Sequence, residues 1–295
     1  MFELRRLRLL HELSLRGTLA AVAEALSYSP STVSQQLAQL EKDAGVPLLV
    51  ADGRRVRLTG HGEHLAAHAA HALELDERVR GELESLQTAG APVRIAAMQT
   101  AAQSLLAPAL SLLAEREPAL PVVVSEAPPE SGLFELAARR FDLVVAEQYP
   151  GHTREHRSRI DHDTLGADPI RLALPSHDSA DGLAALRDRA WVLEPEGTAA
   201  RQWAVQQCRA AGFEPTVRFE VSDLTAHVRL IAAGHAVGML PDLVWADESP
   251  RVRLVDLPGS PSREIFTATR SSSVSRPAIR AVRDALRDAF AARAG

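Results

Sequence analysis

The stretch Gly17-Thr18-Leu19-Ala20-Ala21-Val22-Ala23-Glu24-Ala25-Leu26-Ser27-Tyr28-Ser29-Pro30-Ser31-Thr32-Val33-Ser34-Gln35-Gln36-Leu37 decides how this chain is read. Leu19, Val22, Ala23 and Leu26 fall at i, i+3, i+4 and i+7, one apolar face of a helix. Alanines at 20, 21, 23 and 25 leave room for a second helix to cross closely. Ser27-Tyr28-Ser29 breaks the pattern. Ser29 is a good N-cap, and Pro30 suits the first helical position. Val33, Leu37 and Leu40 then mark the buried stripe of a second helix. Ser31, Thr32, Ser34, Gln35 and Gln39 lie on its outer side, near the end that a recognition helix presents to base edges. Gln bonds adenine at two points, Ser and Thr serve bases or phosphates, and the helix N-terminus favours phosphate.

Outward from this unit, Gly45-Val46-Pro47-Leu48-Leu49-Val50 leads into Ala51-Asp52-Gly53-Arg54-Arg55-Val56-Arg57-Leu58-Thr59. Asp-Gly between short apolar runs predicts a hairpin. Arg54, Arg55 and Arg57 charge it for a phosphate backbone. Thr59 is placed to cap a further helix running without proline to about Gln87. Along it Leu65, Ala72, Val79 and Leu86 recur every seven residues, with His68, Leu75 and Glu82 or Leu83 between them. This imperfect seam predicts a helix pair joining two subunits. The helix also carries His61, His64, His68 and His71. His64 and His68 have metal-ligand spacing, but no cysteine or carboxylate pair completes a set, so no metal is assigned. Clustered histidines offer a pH response as a second reading.

The chain resembles the LysR-type transcriptional regulators over nearly its full length, most strongly in residues 4–62. The resemblance rests on the Gly17–Ala23 run, Ser29 to Leu40-Glu41, Gly45-Val46-Pro47-Leu48-Leu49, and Gly53–Gly62 with Arg57-Leu58-Thr59 at its centre. Two positions depart from the family pattern. Gln35 follows Ser34 where the family often has Arg, and Ala51-Asp52 precede Gly53 where Arg or Lys is common. Both remove positive charge, so no base preference is carried over. The resemblance implies a winged helix-turn-helix (mainly α) over residues 1–60 and a linker helix and hinge over 61–90. It further implies an α/β effector domain over 91–295, built of two subdomains like type 2 periplasmic binding proteins. Subdomain I would take residues 91–165 and 258–295, and subdomain II residues 166–257. Dimers, and tetramers built from them, would then place recognition helices on an interrupted palindrome of double-stranded DNA. RNA polymerase is a further candidate partner.

Composition sets outer bounds. With 295 residues, 46% of them hydrophobic, the chain can bury more than one core. No apolar run has membrane-span length, and the N-terminus lacks a secretory apolar segment. A lone Cys208 excludes an intramolecular disulfide and suits the cytoplasm. Net charge is −5, yet residues 1–60 carry eight basic and six acidic side chains, which leaves −7 on the rest. DNA affinity is therefore expected to be modest and to depend on oligomerisation.

Beyond Ala89-Gly90-Ala91-Pro92, read as a hinge, strands and helices alternate. This predicts a mostly parallel sheet covered by helices, among them Ala101–Glu117. Ligands in such sheets bind beyond the strand carboxyl ends. Met98-Gln99-Thr100-Ala101, Gly197-Thr198-Ala199 and Val221-Ser222-Asp223 each open a helix there, so Gln99, Thr100, Ala101, Thr198, Ser222 and Asp223 are candidate effector contacts. Backbone N–H groups and hydroxyls at helix starts suit a small carboxylate. Gln148 is expected at the same cleft, with Glu147 either drawing a cationic group or left in water. Arg201 is a candidate partner for an anion. Arg159-Ile160-Asp161-His162-Asp163, near His152 and His156, reads as a solvated connector. No nucleophile elbow, His-Glu-x-x-His or phosphate loop occurs, so no catalytic residue and no cofactor are assigned. A purely architectural DNA-binding role and an enzyme fused to a DNA-binding domain are the competing classes.

Overall fold

The computed structural model describes residues 1–53, 55–84, 91–152, 159–245 and 248–293. Arg54, Leu86, Ala89, Gly90 and His156 lie outside them. The chain forms two compact units, Met1–Gln87 and Thr88–Gly295.

In the first unit α1 (Leu4–Arg16), α2 (Leu19–Leu26) and α3 (Pro30–Ala44) surround one apolar core. Thr18 caps α2 by accepting from the Ala21 amide, and Ser27 then turns the chain in the left-handed region. Ser29 caps α3 through the Thr32 amide at 3.1 Å, with Pro30 behind it. The Glu41 carboxylate accepts from the amides of Leu48 and Leu49, which fixes the start of β1 (Leu49–Asp52) against α3. β1 pairs antiparallel with β2 (Arg55–Leu58), and Gly53 takes the positive φ of 59° that a tight turn needs.

Thr59 then holds the corner. Its hydroxyl donates to the Pro47 carbonyl at 2.7 Å and accepts from the Gly62 amide at 3.0 Å. α4 (Gly60–Glu84) leaves from here, and Gly62 passes so close to Leu48 that a Cβ would strike its carbonyl oxygen. The expected seam is corrected in its first half. Leu65 is buried with Ala66 and Ala69 in the unit's own core, and Ala72 packs at the edge of it. A leucine one turn beyond the wing has an intramolecular surface within reach, and burial there outweighs exposure.

The second unit is built on β3 (Val93–Ala97), β4 (Val122–Glu126), β5 (Leu143–Gln148), β6 (Ile160–Leu174) and β11 (Ser262–Arg270). β4, β3 and β5 run parallel, whereas β11 is antiparallel to both β5 and β6. Side chains alternate across this sheet. Ile95, Val145 and Ile265 face α5 (Gln99–Ser104), α6 (Leu106–Arg116) and α10 (Pro277–Ala291). Ala96, Val144, Ala146 and Phe266 face α7 (Pro129–Ala137).

β6 is the crossover strand. Residues 160–169 pair with β11; residues 170–174 pair with β9 (Gly238–Pro241) and β10 (Arg253–Asp256). Around that far end lie β7 (Ala190–Leu193) parallel to β8 (Thr216–Glu220), α8 (Ala199–Ala210) and α9 (Leu224–Ala232). Cys208 is buried there, and desolvation, with Glu214 adding to it, pushes its thiol up to about 12. The cysteine is an inert core residue.

Three expectations are corrected here. The sheet is mixed and not mostly parallel, because β11 runs against both β5 and β6, and β9 and β10 run against the far half of β6. The single helix expected over 101–117 is two. The Ser104 hydroxyl bonds back to the Thr100 carbonyl at 2.6 Å, and Pro108 is accommodated in the first turn of a restarted helix. Asp161 and Asp163 belong to β6 and not to a connector; they pair with Arg283 and Arg287 of α10.

Candidate functional site

In the first unit, Ser31, Ser34, Gln35 and Ala38 form an exposed stripe along α3, opposite the buried Val33, Leu37 and Leu40. Thr32 and Gln39 are only half exposed and already engaged. Thr32 shares a 2.8 Å hydroxyl contact with Ser29, and Gln39 donates to Asp43 at 3.0 Å. Ser29 also contacts the Ser31 hydroxyl at 2.8 Å. The exposed tip is thus a preorganised serine cluster followed by Gln35, whose side chain has no protein partner among the described residues. Two further residues come with this surface that periodicity did not single out. Ala38 completes the stripe, and Arg5 lies over the Tyr28 ring at 5.1 Å. On the hairpin, Arg55 and Arg57 share one exposed face, as residues two apart on a strand must.

The later half of α4 leaves Leu75, Val79 and Leu83 exposed at 57%, 45% and 53%. They fall at i, i+4 and i+8, a continuous apolar strip. His61, His64, His68 and His71 are all exposed on this helix. Among the described residues no group of three or more metal-type ligands gathers anywhere.

In the second unit a cleft of about 700 Å³ opens where β3, β4, β5 and β11 meet the starts of α8 and α9. Its walls include Gln99, Thr100, Thr198, Ser222 and Asp223, as expected from their helix starts. Three other candidates do not line it. Ala101 is fully buried in the core beneath. Gln148 is not on the wall, whereas Glu147 is. The reason is strand parity: Glu147 shares the face of Val145, toward α5, and Gln148 points to the other side. Arg201 turns away: its guanidinium donates to the Glu194 carbonyl at 3.0 Å and to Glu220 at 3.1 Å.

The hydroxyls expected to bind ligand are largely occupied. Thr198 caps α8 by accepting from the Arg201 amide, and donates to the Pro195 carbonyl at 2.9 Å. Thr100 lies inside α5, one position past its start, and accepts from Arg263 at 2.7 Å. Gln99 makes a two-point clasp across the cleft: it donates to Asp223 at 2.6 Å and accepts from the Leu224 amide at 3.1 Å. Burial works to raise the Asp223 carboxyl. The Thr225 amide and Gln99 outweigh it and hold the carboxyl below its ordinary value.

Arg263 forms the floor. It is 1% exposed and bonds Glu147, Asp168 at 2.8 Å and Thr100, with the Tyr149 ring 6.0 Å away. Asp168 also accepts from the Leu243 amide at 3.0 Å, which ties the network to the segment that follows β9. Glu194 lines the wall above it, raised to about 7 by burial and by the charge of Glu147, against the pull of Arg263. Neither Arg263 nor Glu194 carries a sequence signal: an arginine near the start of β11 and a glutamate just past β7 look like surface residues until the fold brings them together.

Known proteins match both halves. Residues 4–63 match the model of the bacterial regulatory helix-turn-helix protein, lysR family, and residues 86–291 match that of the LysR substrate binding domain. The chain belongs to the LysR family and is a DNA-binding transcriptional regulator with an effector-binding domain. It is 29% identical over 255 residues to the transcriptional dual regulator GltC of Bacillus subtilis, covering 84% of each chain. Its fold is like that of a full-length OxyR point variant from Pseudomonas aeruginosa, with TM-score 0.66, 22% identity, and coverage of 98% of this chain and 95% of that one. It is likewise similar to full-length CbnR in complex with its target DNA, with TM-score 0.53, 22% identity, and coverage of 98% and 100%.

Proposed function

We propose that this regulator reads an interrupted palindrome with Ser31, Ser34 and Gln35 of α3, while Ser29, the α3 N-terminus, Arg55 and Arg57 hold phosphates. Arg54 is assigned with the wing arginines on its sequence position alone. The observation that carries the reading is the exposed Ser31–Ser34–Gln35 stripe behind a capped helix start. Dimerisation through the exposed strip of α4, and tetramers built from such dimers, supply the affinity that a nearly neutral DNA-binding unit lacks. The protein works in the cytoplasm; no helix among the described residues is long and apolar enough to cross a membrane. RNA polymerase is the natural further partner of such a regulator.

A small-molecule effector occupies the cleft. It biases the lobes toward one arrangement by binding that arrangement better, and the assembly on DNA shifts with it. Opening the Gln99–Asp223 clasp is the structural change that ligand entry would use. The protein is not an enzyme in this reading: among the described residues the cleft lining carries carboxylates, arginines and hydroxyls but no histidine or cysteine to pair with a nucleophile.

The test is footprinting on the DNA upstream of the protein's own gene, at stated salt, beside Gln35→Ala. A short protected palindrome that the variant loses supports the reading. Salt-sensitive binding without a preferred site, equal in both proteins, favours the architectural role. For the cleft, Gln99→Ala is expected to change the response of the footprint to cell metabolites; an identical response in both would remove the clasp from the mechanism.

A further inference from the structure

Among the described residues, carboxylates at the cleft outnumber cations. Arg263 is the buried cation there, and it faces two buried carboxylates, Glu147 and Asp168. Glu126, Glu194 and Asp223 add three more carboxylates to the walls, against the rim guanidinium of Arg229. Asp223 is occupied in capping α9 and in the Gln99 clasp. Glu194 is not: among the described residues its carboxylate has no hydrogen bond or ion pair. The arginine beside it, Arg201, bonds the Glu194 main-chain oxygen and spends its charge on Glu220 and Glu196.

We propose that the effector is a small organic ammonium compound, a primary amine or amino acid, whose cationic group seats on Glu194. This rests on the reading of the cleft as the effector site. A lone carboxylate would enter against the surplus of negative charge, and the hydroxyls of Thr100 and Thr198 are already bonded. An inorganic cation fits poorly, because no three-ligand group gathers among the described residues and the space is about 700 Å³. Met98, Pro128, Pro129 and Leu224 on the walls suit a carbon body.

The protonation of Glu194 agrees. Burial raises its carboxyl to about 7, the charges of Glu147 and Glu130 add to this, and Arg263 opposes it. Tyr149 and His227 share the small recess beside it, and burial drives both toward their neutral forms. A bound ammonium therefore favours ionised Glu194, and the carboxyl proton passes to the buffer.

The test is titration calorimetry of the full-length protein near neutral pH in two buffers of different ionisation enthalpy. The probes are putrescine, ornithine (putrescine bearing one carboxylate) and succinate, which has the same carbon count as putrescine but carries two carboxylates. Binding of an amine with fractional proton release is expected. In Glu194→Gln, affinity should fall at least about tenfold and proton release should vanish. Tryptophan fluorescence establishes that the variant is folded, and Glu126→Gln provides a second weakened site. Succinate binding in place of both amines would keep the cleft as a ligand site and overturn the ammonium assignment. Amine binding that Glu194→Gln leaves unchanged would overturn it too. No binding by any of the three would also overturn it, while the footprint response to metabolites separately tests the cleft as effector site.

Discussion

At the scale of the residue, the second unit depends on how it holds charge out of water. Arg263 is paired on two sides and hydrogen-bonded on a third, the condition under which a buried ion is tolerated. Arg263→Leu would remove the cation that Glu147 and Asp168 share. A loss of about 3–5 kcal/mol is expected, as for other broken buried pairs. All three tryptophans, Trp191, Trp203 and Trp245, lie in the second unit, so urea unfolding followed by their fluorescence measures it directly. A loss below about 1 kcal/mol, the range of an exposed pair, would mean that water reaches the network. Glu194 gives a pH signature of definite sign. Its carboxyl is raised from 4.5 to about 7, so the folded chain keeps a proton that the unfolded chain releases. Stability then falls as pH rises through that window. Glu194→Gln has no such proton. Wild type and variant should match at the acid end, and the variant should pull ahead until about pH 7, with a constant gap above. A gap that does not change with pH would show that Glu194 is solvated.

At the scale of the element, α4 serves two surfaces in succession. Its first half fills the core of the DNA-binding unit, and its second half presents Leu75, Val79 and Leu83. A heptad reading runs one seam through both halves, because periodicity marks apolar positions and not their partners. Replacing Leu75, Val79 and Leu83 together by serine should dissociate the proposed dimer in sedimentation equilibrium. It should leave the helical signal in circular dichroism nearly intact, since none of the three is buried within the chain. An unchanged mass would place the subunit contact elsewhere. Strands show the same limit more sharply. Glu147 and Gln148 are neighbours in sequence, yet pleating sends one into the cleft and the other away. Which of the two faces ligand follows from the register of β5 against β3 and β11, a non-local property.

At the scale of the whole molecule, charge is divided between residues 1–60, which carry two more basic than acidic side chains, and the remainder at −7. Removing one phosphate-binding side chain should lower the salt dependence of binding by about 0.9 in log–log slope. Arg55→Ala with Arg57→Ala should therefore weaken operator and random DNA alike and reduce the slope by about 2. A change in site preference would instead place these arginines at base edges. The DNA-binding half was legible in the sequence because its signals are local: a cap at Ser29, a proline at helix position one, apolar residues every third or fourth place, a glycine at a tight turn. The alternation of strands and helices announced the α/β half, but not the reversed direction of β9, β10 and β11, since strand polarity is set by distant pairing. By itself the sequence determined the winged helix-turn-helix, an outer face of α3 carrying Ser31, Thr32, Ser34, Gln35 and Gln39, and the presence of an α/β unit; the structure narrowed that face to Ser31, Ser34 and Gln35. Only tertiary structure decided that Leu65 is core, that Arg201 turns away and that Arg263 and Glu194 form the cleft floor and wall. Electrostatic partners of a buried group come from residues about 100 positions apart, as Arg263 and Asp168 do, and no local pattern reveals who they are.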